Sequence, residues 1–182
     1  MQVSIVRVSL NLLGQETAMN NFEGVVFDYL RADRGVFANT QCLIQINPGG
    51  NPDTSGPHWY CDTVVADFRR ECVFLCEISY SARLTSLINR LRSWRENWSK
   101  ICEALRRDSG LPEGWPVRVW LFVPEAHGPL IVSELVRLDF NGPQGFAPLI
   151  TTLEMTQPWA YTSWDRVGEK EKPDFIPLEM RH

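Results

Sequence analysis

The run Cys72-Val73-Phe74-Leu75-Cys76-Glu77-Ile78-Ser79 constrains this chain more than any other stretch. It is apolar on both faces until Glu77, the pattern of a strand inside a sheet that is covered on both sides. A carboxylate at the end of such a strand is costly to bury alone, so it calls for a metal ion, an arginine partner or a place at the sheet edge. A polar turn, Asp67-Phe68-Arg69-Arg70-Glu71, separates this run from another strand pattern, His58 to Ala66, which carries a second acid, Asp62. Fifteen residues apart on adjacent strands of a hairpin, the two carboxylates can face one point in space.

From Ser81 to Asp108 the sequence predicts one long helix. Leu84, Leu87, Ile88, Leu91, Trp94, Trp98, Ile101, Cys102 and Leu105 make a continuous apolar stripe. Gly110 and Pro112 end it. Its other faces hold Arg83, Arg90, Arg92, Arg95, Lys100, Arg106 and Arg107 against Glu96, Glu103 and Asp108. Seven positive charges against three suggest a phosphate-binding face, and Arg83, Arg90 and Arg92 at the end nearest Glu77 are the candidate nucleic-acid contacts. The ordinary alternative is a solvated face, or an ion pair from Arg83 or Arg90 to Glu77.

Elsewhere, Gln2 to Leu13 suits strand or helix, and a helix follows from Thr17 with Phe22, Val25, Val26, Tyr29 and Leu30 at helical spacing. Phe37 to Ile46 reads as a strand with Cys42, Ile44 and Ile46 on one face and Gln41, Leu43 and Gln45 on the other, before a loop over residues 47–57. Val117 to Val123 reads as a strand buried on both faces. Pro129 starts a helix to Leu138 with Leu130, Leu135 and Leu138 inward. Asn141 to Gly145 is loop, and Leu149 to Met155 alternates as a last strand. The expected fold is α/β, a mixed central sheet flanked by helices, forming one domain over residues 1–160 with a charged, proline-containing tail over 161–182.

Composition narrows the chemistry. An apolar content of 44% in 182 residues supports a packed core. No apolar run approaches the roughly 20 residues needed to span a bilayer, and Met1-Gln2-Val3-Ser4 lacks the basic start of a secretion signal, so a cytoplasmic protein without a membrane partner is expected. Five cysteines, an odd number, read as reduced thiols. A zinc site from His58, Cys61, Cys72 and Cys76 is disfavoured, because Cys72 and Cys76 would stand about 13 Å apart along a strand. With a net charge of −4, nucleic-acid binding would need a local patch. Of the seven tryptophans, Trp94 and Trp98 fit the core stripe, whereas Trp159 and Trp164 are expected on the surface, where a base could stack.

Over residues 17–157 the order helix, three strands, helix, strand, with Asp62 on one strand and Glu77 near the end of the next, resembles the PD-(D/E)xK, or restriction-endonuclease-like, nuclease superfamily. Asp62 matches the first acid of its motif and Glu77 the second, whereas the lysine position holds Ser79 and Cys61 stands where a proline is usual. The resemblance implies a restriction-endonuclease-like core and Mg²⁺- or Mn²⁺-dependent hydrolysis of nucleic-acid phosphodiesters. Asp62 and Glu77 would hold the ion, with Glu23 on the first helix as an accessory acid. Ser79 would orient water, and Arg83 would stabilise charge without moving protons. With serine for lysine, activity is expected to be weak or degenerate. The alternative is the same fold without catalysis, a module binding nucleic acid or protein, or pairing with a second copy.

Overall fold

The protein is described here from a computed structural model covering residues 21–47, 58–81, 83–140 and 148–164. The expected element at residues 2–13, the loop over 48–57, the loop at 141–145 and the tail beyond Trp164 lie outside the described residues. Five strands form one mixed sheet in the order β1 (Val36–Gln45), β2 (His58–Asp67), β3 (Cys72–Ile78), β4 (Val117–Val123) and β5 (Leu149–Thr152). β1–β2 and β2–β3 pair antiparallel, whereas β4 is parallel to β3 and β5 to β4. The protein is thus an α/β domain with a mixed sheet flanked by helices, as the sequence suggests.

Two cores sandwich the sheet. Val73 and Leu75 of β3 and Val119 and Leu121 of β4 face α2 (Thr85–Glu96), α3 (Trp98–Ser109) and α4 (Gly128–Arg137), packing against Leu87, Leu91, Trp94, Ile101, Leu105 and Ile131. On the opposite face α1 (Asn21–Arg31) lays Val26, Tyr29 and Leu30 on Phe74, Trp120 and Phe122. The core on this side extends to Tyr161, which is fully buried edge-on against Tyr29. β3 is buried on both sides, which is why its sequence shows no alternation. Asp67 closes the β2–β3 turn: one of its oxygens accepts from the backbone N–H groups of Arg69 and Arg70, both at 3.0 Å, and the other from the Arg70 guanidinium at 2.6 Å.

The long helix expected from Ser81 to Asp108 is two helices. Asn97 leaves helical geometry, with φ −119° and ψ 20°, while its side-chain amide donates to the Ser93 carbonyl at 3.0 Å. This competition of a short amide side chain with the backbone ladder ends α2 at Glu96. The start also shifts to Thr85, because Ser81 forms a local turn in which its hydroxyl accepts from the Arg83 N–H and donates to the Arg83 carbonyl. The last strand is shorter than its alternation suggests. Thr156 and Gln157 side chains both donate to the Leu153 carbonyl, and residues Leu153–Thr156 turn as a 3-10 helix. Leu130 is solvent-exposed, not inward; Ile131 takes its place in the core.

One irregularity positions the site. Residues an even number apart on a strand share a face, yet Cys61 packs with the α2–α4 core and Val65 with the α1 core. β1 does the same, with Ile44 on one side and Val36 on the other. Both strands therefore exchange faces between these residues. The register pairs Thr40 with Thr63 and Cys42 with Cys61, so Gln41 stands across from Asp62. Gln41 has φ 53°, a left-handed conformation inside a strand, and this is the kink that turns both strands over. A β-branched residue suits strands in general but not this position. Gln41→Val is expected to lower stability by about 1–2 kcal/mol in urea titrations, whereas Gln41→Gly should hold or raise it.

Candidate active site

Backbone hydrogen bonding explains how Asp62 and Glu77 come together. The amides of Val73 and Ser79 donate toward β4, to Pro116 and Phe122 at 2.9 Å, so the even-numbered amides of β3 point at β2. The Ile78 N–H would continue that ladder, but at the kink it finds the Asp62 carboxylate instead, at 2.8 Å. Asp62 is thus aimed along the sheet at the end of β3, where Glu77 ends its apolar run. One step beyond the Thr63–Cys76 pair, the two acids stand across from each other.

Arg90 bridges them, and the two carboxyl groups also interact directly through a side-chain hydrogen bond. Arg90 Nη1, from α2, donates to Glu77 Oε2 and lies 3.9 Å from Asp62 Oδ1. The burial of the three side chains is graded: 4% of Glu77 is exposed, 26% of Asp62 and 39% of Arg90. Glu77 Oε1 is buried and accepts from no N–H or hydroxyl among the described residues, which leaves the neighbouring Asp62 carboxyl as the hydrogen-bond partner of Glu77 besides Arg90. Burial first, and then the Asp62 charge, push the Glu77 carboxyl well above the usual glutamate range despite Arg90. Burial also raises Asp62, and the Ile78 N–H and Arg90 counter it in part. Two carboxylates against one guanidinium leave a formal charge of −1 in a nearly closed site. That imbalance is met by a proton or by a second cation.

The two neighbouring acids fit a hard divalent ion, which takes one or two carboxylates and fills its remaining positions with water or phosphate oxygen. Among the described residues no group of three His, Cys, Asp or Glu side chains is placed to hold one metal, so Glu23 is not brought together with Asp62 and Glu77. Glu23 lies on α1, whose core residues cover the opposite face of the sheet. Ser79 follows β3 and is half-buried, with its N–H tied to Phe122. Arg83 is exposed ahead of α2 and has no ion pair among the described residues. Arg92 is exposed and donates to Asn89. It stands about 200° round the helix from Arg90, so the two do not share a face. Cysteine chemistry is not favoured here: burial and then the Glu77 charge push the Cys61 and Cys76 thiols well up, away from the reactive thiolate.

Of the two arginines that the sequence offers as ion-pair partners for Glu77, Arg83 and Arg90, the structure seats Arg90 beside the acids. Its spacing carries the signal. Residue 90 lies three after Leu87 and four before Trp94, both buried, so it borders the stripe that faces the sheet.

At the ends of β3, β4 and β5, and on the α1 side of the sheet, lies an aromatic cavity of about 390 Å³ lined by Phe22, Tyr80, Leu153, Glu154, Gln157 and Trp159. Phe22 and Tyr80 stack at 5.0 Å. Trp159 and Trp164 are exposed as expected, and Trp94 is fully buried.

Compared with protein-family models and with curated proteins, the chain matches none. No helix among the described residues is long and apolar enough to cross a membrane. What fold and site define is an α/β domain with two paired acids on neighbouring strands and an arginine between them.

The raised Glu77 carboxyl has a sign that can be measured. The folded chain retains a proton that the unfolded chain releases near pH 4.5, so stability falls as pH rises from there through the folded value. Asp62 and Arg90 are the ionisable groups that act on it, whereas the Cys61 and Cys76 thiols are acted on by it and stay neutral. Glu77→Gln should therefore be more stable than wild type at about pH 8, with the difference narrowing toward about pH 5 in urea midpoints.

Proposed function

We propose that this is a restriction-endonuclease-like domain that hydrolyses nucleic-acid phosphodiester bonds with Mg²⁺ or Mn²⁺, its motif degenerate at the lysine position. One observation carries the reading: Asp62 and Glu77, on adjacent strands, converge on a single nitrogen atom and on each other, so that two acids share one guanidinium. The order of α1, an antiparallel β1–β2–β3 meander, α2–α3 and a parallel β4 supports it, because the superfamily's core has the same sequence of elements.

Asp62 and Glu77 would hold the ion, whose chemistry is to polarise a phosphoryl oxygen and lower the pKa of bound water. The chain's own residues set the rest. The Ile78 N–H fixes the orientation of Asp62, and burial of Glu77 keeps bulk water away from the inner side of the site. The Ser79 hydroxyl is suited to orient a water but brings no charge. Positive charge comes from Arg90, at the acids, and from Arg83, which is free to meet a phosphate backbone. Neither arginine can take a proton, so each acts electrostatically.

A second reading rests on the Arg90 pair itself. A guanidinium seated between two acids is also how an inactive relative would neutralise a former metal site, leaving a module that binds nucleic acid, a protein or a second copy. Cleavage assays on DNA and RNA with Mg²⁺ and Mn²⁺ separate the two. Under the nuclease reading, Asp62→Ala and Glu77→Ala each abolish metal-dependent cleavage and keep a native circular-dichroism spectrum. No cleavage by wild type with either metal leaves the module. Binding to duplex DNA should weaken with salt, and Arg83→Glu should reduce the log–log slope by about 0.9 for each phosphate that is no longer neutralised.

A further inference from the structure

We infer that Arg90 is an internal counter-cation, seated at the mouth between Asp62 and Glu77, which a divalent ion must displace to enter. The inference rests on the proposed ion site and concerns what controls access to it. Three features of the Arg90 contact distinguish a displaceable group from a structural pin. First, only one of its nitrogens is engaged. Arg90 meets both acids through Nη1, and among the described residues the remaining donors of the fork have no partner. A structural arginine on a carboxylate commonly binds through two parallel hydrogen bonds, as Arg107 does to Asp108 through Nε and Nη2.

Second, the approach is from the solvent side. The arginine side chain is 39% exposed while the carboxylate that it caps is 4% exposed, so the guanidinium can leave without unpacking Leu87, Leu91 or Trp94 beneath it. Third, one guanidinium offsets only one of the two carboxylates, so the site is electrically matched only when a proton or a second cation joins it. A doubly charged ion would match both acids. Arg90 and the ion then compete for the same two carboxylates, and removing the arginine charge must tighten ion binding.

Calorimetric titration with MnCl₂ tests this on the full chain, without any cleavage assay. Arg90→Gln should bind Mn²⁺ on the order of tenfold more tightly than wild type, after discounting the lost repulsion for the exposure of Arg90. Arg90→Lys, which keeps the charge, should stay close to wild type. Adding Asp62→Asn to Arg90→Gln should remove the gain. If Arg90→Gln melts below wild type, Mn²⁺ must raise its melting temperature by more than it raises that of wild type. Equal affinities and equal melting shifts in Arg90→Gln and wild type, with binding abolished by Asp62→Asn, would leave the ion site standing and overturn the competition. Absence of Mn²⁺ binding in all of these proteins would overturn the ion site and the inference together.

Discussion

The burial of Glu77 is the constraint that the rest of this site answers to. β3 is covered by helices on both faces, and the strand carries its last charged residue into a place where only 4% of that side chain meets water. A carboxylate there cannot be left to itself. The fold responds with a neighbouring strand that brings Asp62 alongside, and with a helix turned so that Arg90 reaches both. Asp62 raises the cost of charge on Glu77 and Arg90 lowers it, with the balance on the side of the proton. Buried acids whose properties are displaced by a neighbouring acid are found disproportionately where chemistry is done.

Backbone geometry connects this electrostatic arrangement to the sheet. A normal antiparallel ladder would use the Ile78 N–H for a β2 carbonyl and point Asp62 away from the strand. The left-handed residue across from Asp62 turns both outer strands over, and the freed amide becomes the group that orients the carboxylate. The kink and the acid are therefore parts of one device. Neither the turn at Asp67 nor the helical cores would by themselves place Asp62 where it lies.

Much of this was legible in the sequence, for identifiable physical reasons. The apolar run of β3, the alternation of β1 and the leucine-tryptophan stripe each follow from burial, so they appear as period. What escaped is local. Gln41 is neither glycine nor asparagine, and nothing in its neighbourhood advertises a positive φ, so the exchange of faces was not readable. Asn97 was readable in principle, since an asparagine in the middle of a helical stripe competes with the backbone, but the continuity of Trp94 and Trp98 across it hid the break. Arg90 was assigned to a phosphate face or to an ion pair without a decision. Its distance from Leu87 and Trp94 points it to the sheet, whereas Arg83 precedes the helix and has no such neighbours. Glu23, on a helix over the other face, could not be placed by period at all, because the side of the sheet that a helix covers depends on its connections.

The kink at Gln41 also has a consequence for how this molecule meets others of its kind. Among the described residues β1 is an outer strand of the sheet, and an outer edge is the natural place for a strand from another chain to add on. Such an addition needs a run of regularly spaced amides and carbonyls. Here the run is cut at Gln41 into Val36–Thr40 and Cys42–Gln45, whose side chains face opposite ways. An incoming strand could follow one half or the other but not both in register. The backbone turn that aims a carboxylate at the site thus also guards the sheet against growing from one molecule into the next.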